Sequence, residues 1–242
     1  MPPYFTATLR PTAPLYAWLL ALASMGMLLQ GCAGNEQAPA KEPANPPPIF
    51  ADYRVWAAEG DSMATCMLQF FTDQQKRQSL LLEAPARVQL DQTELEGDSA
   101  RITGTYYEYQ QVLSSFGGRH TILFQSEDKV TFRDTFYFPL FTLAAELPET
   151  LAKKDLEIRL AGLPDGSRLR MVLTDTAFAG NEYNEQYLVK AGAIVLSAAH
   201  LEQMHSGPIV LYLSAEEDRP LGGKLPGNLS VTYSLTRSFL LE

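Results

Sequence analysis

Residues 229–235 read Leu-Ser-Val-Thr-Tyr-Ser-Leu. Leu229, Val231, Tyr233 and Leu235 occupy every second position, and small polar residues fill the gaps. Side chains alternate across a strand, so this run predicts a strand with one face on a core and one in water. The same period governs Leu156, Ile158 and Leu160, then Leu169, Met171 and Leu173, then Ile209, Leu211 and Leu213. Further strands are expected over 64–71, 86–90, 101–109, 121–125 and 129–138. Turn signals separate them: Gly60-Asp61, Gly97-Asp98, Gly117-Gly118, Pro164-Asp165-Gly166 and Gly222-Gly223. One helix is expected, over 197–205, with Ser197 as N-cap and Gly207-Pro208 as the stop. Leu201 and Met204 on its inner side would plug the end of a β-sandwich.

Strands do not alternate with helices, so a parallel sheet is not expected. The pattern predicts an all-β chain with two antiparallel immunoglobulin-like sandwiches, at about seven short strands per ~100 residues. The expected domains are 50–147 and 148–242, with one larger sandwich as the alternative. Composition agrees. Of 242 residues, 46% are hydrophobic and 19% charged, which excludes a collagen-like or wholly disordered chain. Nineteen Lys and Arg against 28 Asp and Glu give a formal charge of -9, which argues against nucleic acid as a partner.

The N-terminus carries a different signal. Residues 1–31 hold one charged side chain, Arg10, ahead of an apolar run from Leu15 to Leu29. Fifteen residues fall short of the ~30 Å hydrocarbon core and suit a signal-peptide core. The run ends in Leu29-Gln30-Gly31-Cys32, which resembles the lipobox of bacterial lipoproteins. The resemblance implies a signal peptide over 1–31, cleavage before Cys32, a diacylglycerol on its thiol and an acylated new amino group. Ala33 stands where Asp would retain an enterobacterial lipoprotein at the inner membrane. The resemblance therefore implies the outer membrane, with the body in the periplasm; inner-membrane or cell-surface anchoring is the alternative. One acyl chain binds a bilayer only marginally, at roughly 0.8 kcal/mol per buried CH₂, whereas two or three hold firmly. Residues 32–49 form the lipidated Cys and a Pro-rich linker. Its stretch AGNEQAPAKEPANPPP (33–48) has no aromatic and no β-branched residue, and is expected to be a disordered tether reaching on the order of 50 Å. The remainder is similar to uncharacterised periplasmic lipoproteins with paired immunoglobulin-like domains. That likeness rests on Val195–Leu213, on the Ser-Gly-Pro at 206–208 and on the Gly-Gly C-terminal hairpin, and it implies no catalytic residues.

Candidate chemistry is sparse. Gly60-Asp61-Ser62 and Gly97-Asp98-Ser99 resemble the nucleophile block of the SGNH/GDSL hydrolases. That chemistry needs an Asp-x-x-His to take the serine proton, and the nearest match is Glu202-x-x-His205. Both triplets are read as turns, and an enzyme is not expected. His200 and His205 would lie about 140° apart around a helix, which does not suit a shared metal. Of the acidic runs 91–98 and 216–218, the first lacks the EF-hand order because Leu95 occupies a ligand position, and both are read as solvated loop carboxylates. No metal and no cofactor are expected. Cys66 shares parity with Ala64, Leu68 and Phe70 and is expected to be buried. Phe132, Phe136 and Phe138 look like core, and Asp134 shares their parity, which demands a bulge or a buried acid.

Two binding roles remain. One is a non-enzymatic, membrane-anchored binding or scaffolding protein of the cell envelope, meeting a partner protein through sandwich-end loops or a strand edge such as Leu229–Leu235. The alternative is a carbohydrate-binding module for cell-wall or capsular glycan. In it, Tyr106, Tyr107 and Tyr109 would stack on sugar rings, with Tyr107 and Tyr109 on one face.

Overall fold

The computed structural model describes residues 49–177 and 182–242. Strands β1 (Phe50–Ala58) and β2 (Met63–Phe71) form the first hairpin. They are followed by β3 (Arg87–Leu90), β4 (Thr93–Glu94), β5 (Gly97–Ala100), β6 (Gly104–Val112), β7 (Gly118–Gln125) and β8 (Thr131–Phe138). Next come β9 (Thr142–Leu143), β10 (Thr150–Leu151), β11 (Leu156–Ala161), β12 (Arg168–Asp175), β13 (Glu182–Leu188) and β14 (Ala193–Leu196). A short helix α1 (Ala198–Glu202) precedes the long strands β15 (Gly207–Pro220) and β16 (Gly227–Leu241). The chain is all-β, as its period-two runs predict.

The strands form one long sheet and two small ones. The long sheet runs β13-β12-β15-β16-β1-β2-β6-β5, with β10 added beside the end of β16. The small sheets are β4-β3-β7-β8 and β14-β11-β9. Inward residues of the long sheet (Tyr53, Val55, Leu68, Phe70, Leu211, Leu213, Val231, Tyr233) are buried together with Val88, Phe124 and Phe138 of one small sheet and with Ile158, Leu160, Ile194 and Leu196 of the other. Phe70 packs on Phe124, and Phe138 packs edge-on against Tyr233. Each half is thus a two-layer arrangement, and the two halves share one layer.

The shared layer is built on the C-terminal hairpin. Strands of 14 and 15 residues pair without interruption from Gly207↔Leu241 to Pro220↔Asn228. The base of the hairpin pairs with β12 and β10. Towards its tip, β16 runs parallel to β1, from Ala51↔Gly227 to Ala58↔Ser234. The expected boundary at 147/148 therefore does not divide the sheet, because strands 207–241 complete both halves. The β1–β16 and β10–β16 pairs are parallel, against the expectation of a purely antiparallel body. They arise because the hairpin crosses from one half to the other.

Two ion-paired clusters fasten the hairpin. Asp134, an inward residue of β8, is buried and accepts bonds from Arg219 Nη2 at 2.7 Å and the Gly222 amide at 2.6 Å. The acid that sequence parity placed in the core is therefore the anchor of the hairpin tip, and no bulge is needed. Burial pushes its carboxyl up, but Arg219 and the Gly222 amide outweigh this and hold it below the ordinary carboxylate range. Arg237 likewise binds Glu59, and its Nε lies 3.3 Å from Glu146.

Other boundaries differ locally. Gly97-Asp98-Ser99 is strand β5 rather than a turn, and residues 101–103 make the turn, so the strand expected over 101–109 begins at Gly104. Gly104 takes φ +72, which suits glycine at that tight turn. The helix covers only 198–202, and Leu201 and Met204 are buried at its end of the core. The signal peptide, the lipobox with Cys32 and the linker up to residue 48 lie outside the described residues.

Candidate binding surfaces

The three tyrosines lie on β6 and do not form a platform. Tyr107 is only 4% exposed, packs edge-on against Phe70 and accepts a bond from the Leu82 amide at 2.7 Å. It has no ring face for a sugar. Tyr109, on the same side, is half-buried against the core, 3.2 Å from the Gln111 side chain. Tyr106 points the opposite way, and its hydroxyl donates to Asp98 at 3.2 Å. Alternation fixes this outcome: β6 must bury one face, and it buries the one holding Tyr107 and Tyr109.

Among the described residues, neither candidate nucleophile is bonded to a histidine. Ser62 lies in the β1–β2 turn and Ser99 on β5, both exposed. The histidines are engaged elsewhere. His120 is buried, stacked on Phe116 and Phe136, with Nδ1 2.5 Å from Asp91 and Nε2 2.6 Å from the Phe116 carbonyl. His200 meets Tyr183 and Ser197, and His205 faces Asp175. Among the described residues, no group of three or more His, Cys, Asp or Glu is placed to hold a metal ion. The acidic runs have protein partners: Asp91 accepts the Thr121 amide, Glu216 the Ser214 hydroxyl and Glu217 the Arg219 guanidinium. Cys66 is fully buried, and burial, then the Asp91 charge, pushes its thiol up.

Three surfaces remain. On the outer face of the long sheet, Trp56 is 40% exposed between Thr65 and Thr232, with Arg54, Met67 and Ser230 beside it. Where the halves meet, Tyr137 and Pro139 face Leu163 and Pro164 across a shallow cleft that includes Ala215. The third surface is an edge. Leu229–Leu235, the edge expected from sequence, is paired on both sides and lies in the middle of the sheet. The true edges of the long sheet are β5 and β13. Sequence reasoning missed β13 because Glu-Tyr-Asn-Glu-Gln-Tyr-Leu (182–188) has no apolar alternation. Its one signal is the pair Tyr183 and Tyr187, four residues apart. Their hydroxyls lie 2.5 Å apart, and Tyr183 donates to Glu185 at 2.8 Å. Burial, then Tyr187 and Glu185, push the Tyr183 phenol up.

No protein-family model matches this chain, and no curated protein does. Solved structures do align. A crystal structure of DIP-gamma IG1+IG2 covers 81% of this chain and 98% of its own length, at 11% identity and a TM-score of 0.24. The tandem Ig repeats of Dlar align over 81% of this chain and 98% of theirs, at 7% identity and a TM-score of 0.22. Escherichia coli alpha-2-macroglobulin activated by porcine elastase aligns over 80% of this chain but only 20% of its own, at 13% identity and a TM-score of 0.28. Scores this low do not establish a common topology. The all-β class rests on the strands themselves.

Proposed function

We propose that this chain is a lipid-anchored binding or scaffolding protein of a bacterial cell envelope. Acylated Cys32 attaches it to the bilayer, the linker spaces it off, and a single β-rich body meets a partner protein. The chain has a formal net charge of -9, so an anionic lipid surface repels it and nucleic acid is disfavoured as a partner. The observation that carries the reading is the hairpin shared by both halves. It makes one continuous sheet that, among the described residues, has a free edge along β13 and an open outer face, which suits display of surfaces rather than enclosure of a substrate. Outer-membrane placement follows from Ala33 beside the lipidated cysteine.

Two experiments test this. Mass spectrometry of the purified native product is expected to find an N-terminus at residue 32 carrying acyl chains, and Cys32→Ser is expected to release the protein from membranes. A bare residue 32 with the leader attached removes the anchor. Crosslinking in intact envelopes is expected to recover a specific protein; recovery of none removes the binding role.

A glycan-binding reading rests on Trp56 rather than on Tyr107, because Trp56 offers a ring face among hydroxyl side chains. Co-sedimentation with peptidoglycan, lost on Trp56→Ala, supports it; no co-sedimentation rejects it.

A further inference from the structure

We propose that the free edge of β13 accepts an extended, lysine- or arginine-bearing peptide segment as an added strand of the long sheet. This rests on the binding role above and names its site and partner chemistry. Among the described residues strand β13 pairs with β12 alone, so backbone N–H and C=O groups along the other edge of a seven-residue strand face outward. Such groups need partners and give main-chain affinity to any extended chain that fits. The other edges offer less. Strand β5 has four residues, β14 four, and β4 and β9 two each. The edge of β8 is interrupted at its middle, where Arg219 Nη2 donates to the Thr135 carbonyl at 2.7 Å.

Charge selects the occupant. Glu182 and Glu185 are exposed, one on each face of β13, and no cation is bonded to either among the contacts described. A basic residue opposite each glutamate gains; an acidic one loses. A second copy of this chain is disfavoured, because the antiparallel register overlapping all seven residues sets Glu185 directly opposite Glu185. Tyr183, bonded to Glu185 and 2.9 Å from His200 on α1, ties the strand's inner face to the body and keeps it extended.

The test uses the full chain in detergent and two fluorescein-labelled octapeptides, one alternating lysine and valine, the other glutamate and valine. Fluorescence anisotropy is expected to show binding of the lysine peptide only. The double variant Glu182→Lys, Glu185→Lys is expected to bind it about tenfold more weakly, while Glu216→Lys with Asp218→Lys leaves it unchanged. Successive amides point to opposite edges, so one of Asn184→Pro and Glu185→Pro is expected to abolish binding while keeping the wild-type melting temperature. No binding of the lysine peptide, or equal loss in both double variants, overturns the proposal. So does a concentration-dependent dimer that Glu185→Gln strengthens. The envelope crosslinking experiment reads the broader role independently, since a partner captured by the Glu182→Lys, Glu185→Lys chain keeps that role and removes this site.

Discussion

Asp134 is a carboxylate at an inward position, and its placement shows how a single polar residue can set the shape of a fold. Its side chain is 8% exposed, against 31% for Arg219. Breaking a pair buried to that degree leaves a charge without its partner, so Asp134→Asn is expected to cost about 2–4 kcal/mol in urea unfolding at neutral pH. The pH dependence follows from the direction of the shift. A carboxyl held low in the folded chain contributes stability that is complete above its unfolded value, about 3.9, and is lost as pH falls through the lower folded value. Wild-type stability is therefore expected to fall on the acid side of about pH 4. Asp134→Asn is expected to flatten that fall, leaving the component from Glu59, whose carboxyl Arg237 holds low against the opposing effect of burial. A profile in Asp134→Asn as steep as that of wild type contradicts the assignment. Cys66 gives a second prediction at this scale. A fully buried thiol that burial pushes up is not nucleophilic, so Ellman's reagent is expected to leave it unlabelled at pH 8 until the chain is unfolded. With Cys32 acylated, the native protein then shows no reactive thiol, and the denatured protein shows one.

At the scale of elements, the described glycine with least room for a side chain lies where β16 meets β1. A Cβ on Gly227, at φ +152, would stand 2.0 Å from the Ala51 carbonyl oxygen. Ala51 also donates its amide to the Pro226 carbonyl at 2.9 Å. Gly227→Ala is thus expected to force the two strands apart and cost about 2 kcal/mol or more, measured by denaturant unfolding. Gly222→Ala, whose Cβ would sit 3.5 Å from Asp134 Oδ2, is expected to cost less.

These elements also show what was legible in the sequence. The runs 209–213 and 229–235 declare strands through alternation, but their true lengths were hidden. Beyond Ala215 come Glu216, Glu217, Asp218 and Arg219, charged on both faces, and the strand persists because β16 pairs it and Asp134 receives Arg219. In β1, Ala51, Tyr53, Val55 and Ala57 face inward, yet two of the four are alanine, so the apolar period is faint. Strand β13 is polar throughout and exists by pairing with β12. Long-range pairing, such as β1 beside β16, leaves no trace in a local window. The tyrosines of β6 were legible as a strand, but which face would be buried depended on where the opposing sheet lay.

Over the whole molecule, the central statement is that the C-terminal hairpin makes one folding unit of residues that the sequence divides in two. Each half borrows from β15 and β16, so neither is expected to unfold alone. Trp56 on β1 reports the first half, and Trp18 is the chain's other tryptophan. The direct measurement is urea unfolding of the mature chain beginning at Cys32, whose one tryptophan is Trp56, with and without Leu211→Ala. It is followed both by Trp56 fluorescence and by far-ultraviolet circular dichroism. Leu211 is fully buried on β15 and pairs with Leu173 of β12, and its truncation costs about 2–5 kcal/mol. The account predicts coincident transitions by both probes in each chain, with the Trp56 midpoint falling by the same amount as the dichroism midpoint when Leu211 is truncated. A Trp56 transition that stays in place while the dichroism curve splits in two would contradict it.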